Sequence, residues 1–340
     1  MNKENKALFS RQASGWFKGL AIIMVVLSHF AEWWSWFYPL EGTSELIRVG
    51  ISKFGPYGVA IFFLFSGYGL AKSAGEKRIG LKFIIKRVTA VYIPYLVMVL
   101  LIDILSDSLH SWEDFVYILK GQDFWYMTVL FLFYGAFIVL WLVFTNRHIR
   151  GVGIILFTMI MSNRLYVMER QDFWYLSNPA FALGVLLALY ELVLKKIPAF
   201  VNWILTVIFA IGSALVVRSG LFVEHVWETP EAKIQSEMWA VVIFTLFVVF
   251  LASSWKWYDV VLQFLGKYSL YIYLSHTFIF MWVINRGEQE MWQKFILAGV
   301  SILAVSIVLG ALIQLIMKQV NRLADKLPSP KKAEDKVQEA

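Results

Sequence analysis

Four ionisable side chains fall inside stretches that are otherwise apolar: His29, Glu32, Asp103 and His276. Such groups are costly there and are the first candidates for chemistry. His29 leads. It follows Trp16, which opens the first apolar run, by 13 residues, roughly 20 Å along a helix at 1.5 Å per residue. Lys18 precedes it by eleven residues. Eleven steps of about 100° return nearly to the same face, so Lys18 lies below His29 on one stripe, roughly 16 Å away. A cation at one mouth and an imidazole deep on the same stripe suit a long anionic substrate that threads in and reacts inside. Apolar surroundings favour the neutral ring, which can accept a proton. Glu32, one turn further on, is placed to orient that ring through a hydrogen bond. A plainer reading stays open, with His29 satisfied by a neighbouring helix and Glu32 at headgroup level. Asp103 reads as an interfacial carboxylate. His110, His148 and His225 fall in loops. No spacing of His and carboxylates makes a metal site, so none is expected.

The elements that must carry these residues are membrane helices. Of 340 residues, 59% are hydrophobic and 16% charged. Soluble domains have about 45–50% apolar and about 25% charged residues. Cysteine is absent, which rules out thiolate nucleophiles, disulfides and Cys-ligated metal. About 20 apolar residues cross a bilayer as a helix. Ten runs qualify as candidates: Trp16–Tyr38, Tyr57–Lys72, Ile84–Leu105, Phe124–Phe144, Val152–Val167, Phe173–Leu194, Phe200–Val217, Met238–Ala252, Tyr258–Ile284 and Phe295–Lys318. With the N-terminus in the cytoplasm, most of the 31 Lys and Arg residues fall on the cytoplasmic side. The expected fold is thus an all-α, polytopic transmembrane bundle of about ten spans with both termini cytoplasmic, in the plasma or inner membrane. Residues 1–320 form the membrane domain, and 321–340, with Pro328 and Pro330, a polar tail expected to be disordered. The net charge of +7 follows from the loop bias and the basic tail, so nucleic acid is not needed to explain it.

Three local patterns remain. Lys72, Lys77, Arg78, Lys82, Lys86 and Arg87 cluster in one loop and the start of the third span. Such a cluster can hold phosphates through ion pairs and Arg forks, or merely reflect charge bias and lipid contact. Gln122–Tyr126 recurs as Gln171–Tyr175, with the order Gln-Asp-Phe-Trp-Tyr. Both copies are expected to open a helix at the outer face. They read either as an aromatic belt with an acidic N-cap or as two sugar-stacking platforms with carboxylates. Ser66 and Gly67 form a small-residue patch suited to close packing. No Gly-x-Ser-x-Gly elbow surrounds Ser66, which speaks against a nucleophile.

Five segments in order resemble the integral-membrane acyltransferase 3 family: Lys18 to His29, Gly58 to Tyr68, Phe83-Ile84-Ile85-Lys86-Arg87 running to Tyr95, Phe124 to Met127, and Leu265 to His276. The resemblance covers most of the chain. It implies transfer of an acyl group, usually acetyl, from cytoplasmic acyl-CoA to a hydroxyl of an extracytoplasmic carbohydrate. Acetyl-CoA is then the donor and co-substrate. It also implies that His29 is catalytic, as general base or transient acyl carrier, and that Arg87 helps hold the donor. Lys18 and Lys86 join Arg87 as donor-binding candidates. Ser66, Tyr68, Asp123, Trp125, Tyr126, Tyr273 and His276 form the candidate substrate-binding set. Two positions depart from the family pattern: Lys18 stands where Arg is usual, and Ala90 where a second Arg is usual. Lys keeps the charge but not the bidentate fork. Other readings are a transporter or flippase, or a non-catalytic assembly component, of a glycan pathway. A transporter is expected to show paired repeats and helices broken by Gly or Pro.

Overall fold

The computed structural model describes residues 7–75, 78–122, 124–222, 230–286 and 290–324. Among these residues the fold is all helical, with no strand. In chain order the helices are α1 (Arg11–Ser35), α2 (Gly42–Ser52), α3 (Phe54–Ala74), α4 (Leu81–Arg87), α5 (Ile93–Leu105), α6 (Trp112–Leu119), α7 (Trp125–Val143), α8 (Arg147–Val167), α9 (Pro179–Leu189), α10 (Glu191–Leu194), α11 (Ala199–Phe222), α12 (Pro230–Ser254), α13 (Val260–Ile284) and α14 (Met291–Ala324). A π-helical turn, Val88–Tyr92, joins α4 to α5, and a 3-10 turn, Asp172–Trp174, precedes α9.

Eight helical stretches are long and apolar enough to cross a membrane: Arg11–Ser35, Gly42–Ala74, Leu81–Leu105, Trp125–Val143, Asp172–Leu189, Ala199–Val216, Ile234–Ser254 and Met291–Val320. Each overlaps a span expected from the sequence. The expected fifth and ninth spans are helices too, α8 and α13, but fall short in apolarity. Arg150 and Arg164 interrupt α8, and Lys267, His276 and several tyrosines interrupt α13. By length and composition the count is therefore eight rather than ten. The polar tail also begins later than expected, because α14 continues to Ala324. Its remainder lies outside the described residues.

The chain divides into two compact units. The first comprises Met1–Gly75 and Arg147–Ser269, the second Glu76–Asn146 and Leu270–Ala340. In the first unit α3 is the hub, packing on α1, α9 and α12. Its residues Gly58–Phe65 are buried without a break, as expected of a helix apolar on all sides. Its glycines set the crossings. A Cβ at Gly58 would stand 2.7 Å from the Ala21 carbonyl oxygen of α1. Between α3 and α9 the approach is closer: a Cβ at Gly67 would land on the Phe181 carbonyl, and one at Gly184 on the Leu64 carbonyl. Small residues allow such contact between membrane helices. In the same way, Gly19 of α1 meets the Leu262 backbone, and Gly266 meets that of Gly15. The first and last segments of the family resemblance therefore touch backbone to backbone.

Helix ends follow local chemistry. The Ser10 hydroxyl accepts from the Ala13 N–H at 3.0 Å and caps α1. Ser111 and Asp114 form a reciprocal capping box on α6. In the second unit the π turn has an identifiable cause. Pro94 cannot donate to the residue four back, Ala90, and its ring crowds that carbonyl, so the helix widens over Val88–Tyr92. Thr89 fills the turn, its hydroxyl donating to the Ile85 carbonyl at 3.0 Å. Below it, Tyr92 and Tyr95 donate to the Leu119 and Ile118 carbonyls at 2.8 and 2.9 Å, tying α5 to α6.

Candidate active site

In the first unit, His29 lies half-buried on α1. Its Nδ1 lies 3.0 Å from the Val25 carbonyl oxygen, one turn back. A carbonyl only accepts, so Nδ1 carries the proton and, in the neutral ring, Nε2 is the basic nitrogen. The ring stacks on Trp33, with centroids 5.6 Å apart and planes at 24°. Glu32 serves a different partner from the one its spacing implies. Its Oε2 lies 3.4 Å from Arg48 Nη1. Arg48 grips Glu45 through Nε at 2.8 Å and Nη2 at 2.6 Å. The orientation of His29 thus comes from the Val25 carbonyl and Trp33, and Glu32 joins α1 to α2. Arg48 was not singled out by sequence reasoning. The only local signal was its i,i+3 spacing from Glu45.

Lys18 is half-buried on the same helix. It adjoins Gly19, where α1 meets α13, and Lys267 adjoins Gly266 at the same crossing. The Lys267 ammonium lies over the Tyr268 ring, 4.9 Å from its centroid. Ser66 is half-buried on α3. Tyr68, two residues on, gives its hydroxyl to Glu191 Oε1 at 3.3 Å. Glu191 collects further partners: Lys72 Nζ, Lys195 Nζ at 3.1 Å, and the Leu8 N–H. The Tyr68 hydroxyl accepts from the Phe9 N–H at 3.4 Å, and Phe9 packs on Phe65 and Tyr68. Tyr68 therefore holds the start of the chain against α3 and α10.

Glu191 is buried, at 4% exposure. Burial pushes its carboxyl up, but the bonds from Lys72, Lys195 and Leu8 outweigh this and hold it below the ordinary glutamate range. A carboxyl lowered on folding stabilises the fold above its unfolded pKa and loses that contribution as pH falls through the folded one. We expect Glu191→Gln to melt at a lower temperature than the native chain at neutral pH. The gap should close as pH falls from about 5 downward, where the native carboxylate takes up a proton. Parallel melting curves of the two proteins across that range would show that the cluster contributes nothing.

In the second unit, Arg87 ends α4 beside the π turn, with its guanidinium 5.2 Å from the centre of the Phe83 ring. Lys86 precedes it and is also half-buried. Ala90, where the family pattern has a second cation, is exposed within the π turn. Three expected substrate-binding residues come together here. Tyr126 and Tyr273 pack edge to face at 5.1 Å, and His276 lies 5.7 Å from Tyr273. Phe124 joins them at 5.9 Å from Tyr273. His276 is buried at 2% exposure, and its Nδ1 is 2.6 Å from the Tyr273 carbonyl oxygen. One residue before it, Ser275 lies 2.6 Å from Ser306 of α14, hydroxyl to hydroxyl. Trp125 is half-buried, its ring 6.2 Å from that of Tyr126. Asp123 lies outside the described residues. The two copies of Gln-Asp-Phe-Trp-Tyr differ in structure: the first leads directly into α7, whereas the second forms the 3-10 turn and α9 starts only at Pro179. Asp103, near the end of α5, accepts from the Ser108 hydroxyl at 2.9 Å, as suits a carboxylate at a helix end.

A family model described as an acyltransferase domain matches residues 12–313, nearly the whole chain, and includes every segment described above. The chain belongs to the acyltransferase 3 family. It is a multi-pass membrane acyltransferase. No curated protein and no solved structure gives a significant match to it. In this acyltransferase, residues of both units fall within the matched region: Lys18 and His29 in the first, Lys86, Arg87, Tyr126, Tyr273 and His276 in the second.

Proposed function

We propose that the enzyme moves an acyl group, acetyl in the simplest case, from cytoplasmic acyl-CoA to a hydroxyl of a cell-surface or exported glycan. The observation that carries this reading is the tautomer of His29: with Nδ1–H held by the Val25 carbonyl, Nε2 is the basic nitrogen. In the reaction we propose, Nε2 takes the proton of the acceptor hydroxyl as that oxygen attacks the thioester carbon. The tetrahedral intermediate collapses, the C–S bond breaks, and the imidazolium returns the proton to the leaving thiolate. Lys18, Lys86 and Arg87 are the cations assigned to the anionic donor, and Tyr126, Trp125 and Tyr273 supply aromatic surface for the acceptor. The basic bias supports ten spans with both termini cytoplasmic, α8 and α13 included, in the plasma or inner membrane. A polar helix such as α13 is tolerated in a bilayer where its charges face the bundle.

The test is turnover of labelled acetyl-CoA by the purified chain in vesicles, with and without glycan acceptors. Release of free CoA that requires His29 and an acceptor supports the reading. Label retained on the protein without acceptor would instead make His29 a transient acyl carrier. No turnover with acetyl, succinyl or longer donors would reject the proposal. Within the same assay, Arg87→Ala should raise KM for the donor about tenfold or more with kcat little changed, as for one lost charge-assisted pair. An unchanged KM would remove Arg87 from the donor site.

A further inference from the structure

A cavity of about 580 Å3 lies in the first unit, among α8, α9 and α12. That size is typical of small-molecule sites, at about 300–1,000 Å3. It contains none of the residues assigned above to acyl transfer. It is open at the surface, where Met159, Asn163 and Gln235 are exposed.

The lining changes character along its length. Ile155 and Met159 of α8, with Leu183 and Leu186 of α9, make one end apolar. Thr158 belongs to that end, because its hydroxyl is turned to the Ile154 carbonyl at 2.8 Å. The other end carries Asn163 and Tyr166 late in α8, Tyr175 ahead of α9, and Gln235 early in α12. From Ile155 to Tyr166 is roughly 16 Å of helix. Tyr166 and Tyr175 stand edge to face at 6.1 Å. Among the described residues no Asp, Glu, Lys, Arg or His lines the cavity.

A second observation points to a ligand at the polar end. Asn178 is fully buried, and its Nδ2 donates at 3.1 Å to the hydroxyl of Ser162, which lines the cavity. The Asn178 Oδ1 has no hydrogen-bond partner among the described residues. A buried, unsatisfied amide oxygen calls for an explanation, and a missing bound group beside it is one. Ser162, having accepted, keeps its own proton to donate.

We propose that this cavity seats one lipid of the surrounding bilayer, with its chain against the apolar end and an uncharged, hydroxyl-bearing headgroup, as in a glycosylated diacylglycerol, at the amide and tyrosine end. Two of the three lining helices belong to stretches able to cross a membrane, so lipid chains are their neighbours. A phosphate headgroup would call for Lys or Arg, whereas Asn, Gln and Tyr both donate to and accept from neutral hydroxyls. The site does not rest on the acyl-transfer chemistry.

The test uses the full chain in dioleoyl phosphatidylcholine nanodiscs. Glucosyl-diacylglycerol and phosphatidylglycerol, each with the same photoactivatable tail, are added at trace level and labelled peptides are mapped. The glycolipid should label peptides spanning residues 155–186 about fivefold more than the phospholipid, the margin of one or two hydrogen bonds to an uncharged group. Ala182→Phe, which fills the cavity, should remove that labelling. Asn163→Leu combined with Gln235→Leu, both at exposed positions, should keep the labelling but erase the preference. That pair decides the matter if the filled variant does not fold. His29→Ala should change nothing here. Equal labelling by both lipids in the native chain, or a preference that survives the exposed pair, would overturn the proposal.

Discussion

Replacing His29 with Ala is expected to lower acyl transfer by about 10²–10⁴-fold, the contribution of a positioned general base. The yield of folded protein should not change. Both halves follow from the local geometry. The side-chain bond of His29 runs to a carbonyl in its own helix, so its loss breaks no contact between helices. What the fold loses is the stacking on Trp33, about 0.5–1.5 kcal/mol for a ring pair. What the reaction loses is the group that takes the acceptor proton. His29→Asn sharpens the comparison, because its amide can still donate a hydrogen bond but has no basic nitrogen. It should be as inactive as the Ala variant. Either variant transferring acyl groups at the native rate, at equal protein level, would end the assignment. Glu32→Gln serves as the contrast. Since Glu32 pairs with Arg48, we expect that change to loosen α2 and to reduce transfer far less than loss of the ring.

The helices were legible because membrane solvent leaves a strong mark: a run of about 20 apolar residues has few other uses. The same reasoning passed over α2 and α6, which are short, amphipathic and set in polar sequence. The capping pattern Ser111-x-x-Asp114 was present and would have found α6. His29 could be read from the sequence because an isolated imidazole in an apolar helix is conspicuous at any depth. Its tautomer could not, because the Val25 carbonyl is identical to every other carbonyl of the helix until the rotamer is known. The role of Glu32 was misread for a related reason. Helical spacing brings it near His29, but Arg48, from another helix, competes for the carboxylate and offers a full charge. The Glu191 cluster had no sequence signature at all. Leu8, Tyr68 and Lys72 reach it across more than a hundred residues. The π turn was latent in Pro94, yet the residue it displaces, Ala90, had been read only as a missing cation.

The glycines lead to the second large effect. Gly184→Leu is expected to abolish most folded protein, whereas Gly69→Leu and Gly135→Leu should be tolerated. All six atoms nearest to added Cβ atoms at Gly67 and Gly184 are backbone, belonging to Phe181 and Val185 or to Leu64 and Tyr68. Backbone cannot swing aside as a side chain can, so α3 and α9 would have to part along the crossing at the centre of the first unit. Overpacking typically costs about 1–3 kcal/mol where neighbours can adjust. Here they cannot, and membrane helices have little hydrophobic drive to reassemble at a wider spacing. Gly69 and Gly135 meet nothing within 4 Å of an added Cβ, so they control for the propensity of leucine itself. The measurement is the fraction of each variant that elutes as a single species in detergent, followed by its melting temperature. Equal behaviour of Gly184→Leu and Gly69→Leu would refute the argument. Gly58→Ala is the intermediate case. Its methyl would press on the Ala21 carbonyl and, at 2.9 Å, on Cγ2 of Val25, the residue whose carbonyl holds His29. A small shift of α1 at that point should reach kcat before it reaches stability, since a general base works only within hydrogen-bond reach of its proton.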